Sequence, residues 1–143
     1  MRTTHAGVRP MIHPLHAILL AFPLALFTGA LVSDIAYIRS AELQWSNFSA
    51  WLITGAMVMA TLVLAWALVG AALARGRRSR ALIYLLLVAL MWGAGLLNAF
   101  QHSRDGWSSV GAVGLALSSV SMLAALLAAW LGFSSTVQQG DAR

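Results

Sequence analysis

The sequence predicts an all-α integral membrane protein, a four-helix bundle in up-down-up-down order. Three observations carry that prediction. Of 143 residues, 60% are hydrophobic and only 9% charged, with a mean hydropathy of +0.81. Soluble proteins carry about 25% charged residues, so this chain has too little charge to clothe a surface in water. Four apolar runs each come close to the ~20 residues a helix needs to cross the ~30 Å hydrocarbon core. The nine basic residues are all arginine, and most flank those runs.

The runs are 14–32, 51–73, 81–100 and 110–133. In lipid, backbone N–H and C=O groups have no water to bond, so each run must satisfy them internally as a helix. The alternating in-out pattern of a membrane β-barrel is absent. The first run opens on Pro14, which suits a first helical position because its missing N–H has no intrahelical acceptor there. It is longer than the ~7–15-residue apolar region of a signal peptide and reads as a span. Pro23 lies in mid-span, where it removes the hydrogen bond to the Leu19 carbonyl and is expected to bend the helix. The second run carries Trp51 at its start and Trp66 deeper. The third follows a basic turn over 75–80, and the fourth is rich in Gly, Ser and Ala, which let backbones approach closely. The connections, read as 33–50, 75–80 and 102–109, are short enough to make successive helices antiparallel neighbours. Residues 1–143 therefore read as one four-span domain with no soluble part, no internal repeat and no low-complexity tract.

The arginines orient it. Arg2, Arg9, Arg75, Arg77, Arg78, Arg80 and Arg143 fall on one side of four spans, and only Arg39 and Arg104 on the other. The positive-inside rule places the first set, with both termini, in the cytoplasm. Arginines so placed set orientation, and no nucleic-acid partner is expected despite a pI near 11.5. The absence of Cys removes disulfides, thiolate metal sites and Cys nucleophiles.

Few polar residues lie near the spans. His13 and His16, three apart, share one face at the cytoplasmic end of the first helix, too few ligands for a metal site. Asp34 is expected at the opposite membrane interface near Arg39, or else in a polar outer cluster with His102 and Arg104. Trp45, Trp107 and Trp130 sit where aromatic belts form. No phosphate loop, dinucleotide fingerprint or His-Glu-x-x-His is present.

The opening His13-Pro14-Leu15-His16, continued by Phe22-Pro23-Leu24-Ala25 and then Asp34, resembles the first helix of the domain-of-unknown-function 2231 family of small bacterial membrane proteins. The basic turn before the third helix, Asn98 with Arg104-Asp105-Gly106, and Trp130-Leu131-Gly132 also fit. The family's Pro after the second His is Ala17 here, and its His early in the third helix is Tyr84. Its Asp near the end of the second helix is replaced by Val69-Gly70-Ala71. Its closing Gly-Gly-x-Leu-Val-Tyr-x-His-Gly becomes Gly132-Phe133-Ser134-Ser135-Thr136-Val137-Gln138-Gln139-Gly140. The resemblance implies a multi-pass protein of a bacterial inner membrane with four helices and no settled activity.

The expected role is a non-catalytic scaffold or accessory subunit of a redox or envelope complex, with the lipid bilayer as its environment and a membrane-complex partner or second copy beside it. The alternatives are a b-type haem or quinone electron carrier and, more weakly, a small transporter. No cofactor is expected: at ~1.5 Å per residue, His13 and His16 lie roughly 30 Å from His102, too far for two of them to clamp one haem iron. The orientation has a direct check. A reporter active only outside the cytoplasm is expected to be silent when fused after Gly140 and strongly active near Glu42; the reverse pattern inverts the topology.

Overall fold

Helices continue past the points where hydropathy falls, and this sets the dimensions of the molecule. The computed structural model describes residues 9–10, 13–74, 78–104 and 110–136. They form α1 (Pro14–Ser40), α2 (Leu43–Leu73), α3 (Arg78–His102) and α4 (Ala112–Phe133), with a two-residue antiparallel pairing of β1 (Arg9–Pro10) and β2 (Ser135–Thr136) beyond the helices. The side chains of Arg2, His5, Arg9, Arg75, Arg77, Trp107 and Arg143, which entered the sequence reading, lie outside the described residues.

The connection read as 33–50 is in fact residues 41–42. Asp34 and Arg39 lower the hydropathy there without breaking the helix. α1 ends instead at Ala41, which turns left-handed at φ 56° and donates its N–H to the Tyr37 carbonyl at 2.8 Å. At the other end the ring nitrogen Nδ1 of His13 accepts the Leu15 N–H at 3.2 Å and caps the helix, satisfying one of the first-turn donors. α1 runs unbroken through Pro23, which is buried. All four helices are long and apolar enough to cross a membrane, at 27, 31, 25 and 22 residues. At ~1.5 Å per residue α2 measures about 46 Å, longer than the ~30 Å core, so it projects from the hydrocarbon or tilts within it.

Each helix packs on two neighbours, in the cyclic order α1, α2, α3, α4 and back to α1. Six buried positions on every helix are spaced four, three, four, three, four: 16, 20, 23, 27, 30, 34 on α1; 49, 53, 56, 60, 63, 67 on α2; 84, 88, 91, 95, 98, 102 on α3; 114, 118, 121, 125, 128, 132 on α4, with Ser33, Ala94, Ala124 and Ala129 buried beside them. That is the heptad spacing of a left-handed coiled coil, in which a 3.5-residue period keeps one seam facing its partners. Because α1 and α3 run against α2 and α4, the seams stack into six layers from one end to the other.

The seams also expose a repeat. Adding 68 to the six seam positions of α1 yields those of α3, and adding 65 to those of α2 yields those of α4. The bundle is two helical hairpins related by a pseudo-twofold axis along the helices, although the residue identities show no repeat. Equivalent positions of α1 and α3 face one another across the axis. In one layer Phe27 fills the space that Gly95 leaves: a Cβ on Gly95 would stand 2.6 Å from the Phe27 ring and 2.8 Å from the Met57 sulfur. The small residues of α4 (Gly114, Ser118, Ser121, Ala124, Ala125 and Ala128) are buried inside the bundle; the outer faces present Trp51, Leu73 and Leu86. The apolar exterior and four spans make this an integral membrane protein surrounded by lipid.

Gly95→Ala is therefore expected to destabilise the bundle by about 1–3 kcal/mol, the usual range for overpacking. Phe27→Leu in the same chain, by vacating the ring position, is expected to recover part of it. Thermal unfolding in detergent measures both.

Candidate functional site

In the layer nearest the α1–α2 connection, and in the one beneath it, the seam positions turn polar. Asp34, Ser49, Asn98 and Ser118 are all fully buried, and the His102 side chain is 1% exposed. They come from all four helices. His102 Nε2 stands 2.9 Å from Asp34 Oδ1, the Ser118 hydroxyl donates to Asp34 Oδ2, and Asn98 Nδ2 donates to Ser118 Oγ at 2.7 Å. Ser49 Oγ lies 3.3 Å from His102 Nε2 and 3.3 Å from the Ala30 carbonyl. His102 Nδ1 is 3.0 Å from the Asn98 carbonyl, four residues back on the same helix.

The partners assign the protons. A carbonyl only accepts, so His102 Nδ1 carries hydrogen. The Ser49 hydroxyl directs its single hydrogen to the Ala30 carbonyl and presents a lone pair to Nε2. Asp34, already accepting from Ser118 on one oxygen, accepts on the other. Nδ1 therefore donates, and a single proton lies between Nε2 and Asp34 Oδ1: with it on the ring the pair is an imidazolium facing a carboxylate. Moving the shared proton from Nε2 to Oδ1 along this 2.9 Å contact makes it a neutral acid and a neutral base with the same neighbours. The pair holds one proton between two groups, and either arrangement is net neutral. This neutrality is what lets it sit in a bundle where a lone charge costs ~2.5–3.5 kcal/mol even on the mild insertion scale. One atom of the cluster lacks a partner: Asn98 Oδ1 is buried and unbonded among the described residues.

Asp34 is thus not an interfacial carboxylate near Arg39. It lies inside α1, which continues to Ser40, and its partners are His102 and Ser118. Arg39 is exposed. Arg104, grouped with Asp34 and His102 in one sequence reading, is also exposed and makes no ion pair among the described residues, since the chain leaves helical geometry after His102. Ser49, Asn98 and Ser118 were not singled out as site residues. The signal that finds them is their position on the four-three spacing that also holds Asp34 and His102.

The opposite end, where the chain termini and the α2–α3 turn lie, holds the other polar layer. His16 is 2% exposed and its Nε2 is 2.6 Å from the Tyr84 hydroxyl. Its ring also leans on Trp66, centroids 5.3 Å apart, and the exposed His13 ring stacks on the same indole at 5.9 Å. Arg80 Nη2 reaches the Leu131 carbonyl at 3.4 Å and the Ser134 hydroxyl, closing the end of α4. Eighteen residues separate His16 from Asp34, and Tyr84 from His102. Five helical turns put the two polar layers about 27 Å apart, near the two edges of the hydrocarbon. Neither end gathers three metal-ligating side chains among the described residues.

Fold and site together define a polytopic helical membrane protein with an Asp–His pair buried on its pseudo-twofold axis. A family model described as predicted membrane protein (DUF2231) matches residues 12–140, and the chain belongs to that family. No curated protein and no solved structure matches it.

Breaking a buried ion pair strands the remaining charge and costs about 3–5 kcal/mol, whereas replacing both partners with apolar residues is often neutral. Asp34→Asn is expected to lose stability in that range in detergent unfolding, and Asp34→Leu with His102→Leu to recover most of it. Equal loss from the single and the double variant would contradict the pairing.

Proposed function

We propose that this protein is a non-catalytic accessory subunit of a membrane complex, of redox or envelope type, whose working part is the protonatable Asp34–His102 pair. The observation that carries the reading is that ion pair, fully buried in lipid-embedded helices and hydrogen-bonded from all four of them. Ionisable groups inside a span are expensive and mark proton or ligand sites by default. Packing needs do not account for this one, since apolar residues of similar volume fill such space as well. In the proposed orientation, in a bacterial inner membrane with cytoplasmic termini, the pair lies near the outer surface.

Between the two polar layers the axis is filled by Leu20 with Val88, Pro23 with Met91, and Phe27 against Gly95, all buried. These three layers speak for a proton that enters and leaves by one end rather than one that crosses, which favours an accessory role over a transporter. Asn98 Oδ1, a buried acceptor without a donor, marks where a water would carry that proton in.

The test is nitrogen-15 spectroscopy of histidine-labelled protein in lipid nanodiscs, coupled to cross-linking in native membranes. The wild type is expected to show His102 with hydrogen on both ring nitrogens, and Asp34→Asn with hydrogen on one. The Asp34→Leu, His102→Leu double variant is expected to fold but to lose the cross-linked partner that the wild type retains. A double variant that keeps the partner in full would reduce the pair to a structural element.

A further inference from the structure

The second polar layer is unfinished in a way that points to a ligand. His102 Nδ1 finds the carbonyl four residues behind it, but His16 stands two residues after the start of α1 at Pro14 and has no helical carbonyl at that distance. His16 Nδ1 is buried with no partner among the described residues. Its protonation follows from Tyr84. The phenol has no other acceptor among the described residues, so at 2.6 Å it donates to Nε2, and the ring's own hydrogen is on Nδ1. A second buried donor at this end, Arg80 Nε, is also unpartnered, whereas the one buried acceptor in that condition, Asn98 Oδ1, belongs to the other end. Among the described residues the terminal end is short of acceptors. A donor left unpaired away from water costs about 1–3 kcal/mol, so the missing partner is a molecule that offers acceptor oxygens and no competing donors.

The walls narrow its shape. His16 is bounded by the Tyr84 ring at 5.7 Å and by Trp66 at 5.3 Å, and His13 lies on Trp66 with its plane 28° from that of the indole. Trp66 is 38% exposed and His13 is exposed, so this aromatic wall opens on the outside of the bundle along α1 and α2. Flat aromatic walls take flat rings. The depth is that of the hydrocarbon edge, where an amphiphile keeps its polar ring while its tail stays in lipid. The protonated Nδ1 has no lone pair for a metal ion. A phosphate headgroup would match the Arg80 charge, but Arg80 is turned to the end of α4 and the wall beside His16 is uncharged.

We infer that His16, Trp66 and His13 form a binding site for the headgroup of an isoprenoid quinone, with a ring carbonyl accepting from His16 Nδ1. Tyr84 is a positioning residue: its O–H on Nε2 keeps the hydrogen on Nδ1, as second-shell partners fix the tautomer of a ligating histidine. The site does not depend on the Asp34–His102 pair, and the two stand or fall separately.

The experiment titrates the whole protein in phosphatidylcholine nanodiscs with decyl-benzoquinone, reading tryptophan quenching and the nitrogen-15 resonance of His16 Nδ1. Saturable quenching is expected, together with a shift of the Nδ1–H signal at the same midpoint. Trp66→Phe is expected to remove the saturable component. His16→Phe should weaken binding on the order of tenfold, the worth of one hydrogen bond of about 1.4 kcal/mol, and Trp51→Phe, on the outer face at the opposite end of α2, should leave the saturable component unchanged. Tyr84→Phe is expected to weaken binding and to split the His16 signal between two tautomers, which loss of packing alone would not do. Quenching that never saturates, or an Nδ1 resonance that the quinone does not move, overturns the proposal in the wild type even if the variants fail to fold. A shift produced by adding phosphatidylglycerol instead of the quinone overturns it in favour of a lipid phosphate.

Discussion

The proton shared by Asp34 and His102 constrains more of this molecule than any apolar contact does. Between helices in a bilayer there is no hydrophobic driving force, because lipid tails solvate Leu as well as another helix does; association rests on packing and on hydrogen bonds. An acid and a base that must meet across the axis fix α1 against α3 to a single residue. The same meeting draws in α2 through Ser49 and α4 through Ser118. With that register set, Phe27 falls opposite Gly95 and His16 opposite Tyr84, both separated by the same 68 residues as Asp34 and His102. A slip by one residue would part the charges and drive the Phe27 ring into a side chain.

The pseudo-twofold relation explains why these contacts come in pairs. In two copies of one hairpin packed about an axis, the only side chains that meet their own counterparts are those on the axis, and here these are the seam residues of α1 and α3. The halves have kept a common burial pattern while their chemistry has separated. The acid stands in one hairpin and the base in the other. Ser118 supports Asp34 from a position whose equivalent in α2 is the apolar Ile53, and Asn98 sits where α1 has Ala30. The asymmetry of the neighbours follows the asymmetry of charge: the carboxylate receives a hydroxyl donor, and the imidazolium faces a carbonyl and a lone pair.

The spans were legible in the sequence because length and hydropathy decide whether a segment enters lipid. The seams were not, because their outer faces are as apolar as their inner ones, and the usual contrast between a buried and a wet face is missing. What the bilayer leaves readable is the polar and small minority. Asp34, Ser49, Asn98, His102, Gly114 and Ser118 stand out from the Leu and Val around them, and their spacing is that of the buried face. The burial of Asp34 was missed for a related reason. A drop in hydropathy at Ser33 and Asp34 looks like the end of a span, yet those residues are polar because they face inward, not because they have reached water. His102 and Arg104, neighbours in sequence, part company because the helix ends between them.

The two ends of the bundle answer opposite chemical needs with the same scaffold. Among the described residues every buried side-chain donor at the α1–α2 end is matched, and the unmatched atom is an acceptor, Asn98 Oδ1. At the other end the unmatched atoms are donors, His16 Nδ1 and Arg80 Nε. A bundle designed only to hold itself together has no reason to leave an excess of one kind at each edge of the membrane, since each unsatisfied group lowers its stability. The apolar layers between them keep the two excesses from cancelling. A proton-carrying molecule at one end and an acceptor-bearing one at the other would complete both, and the separation of about 27 Å means that neither guest could do the work of the other.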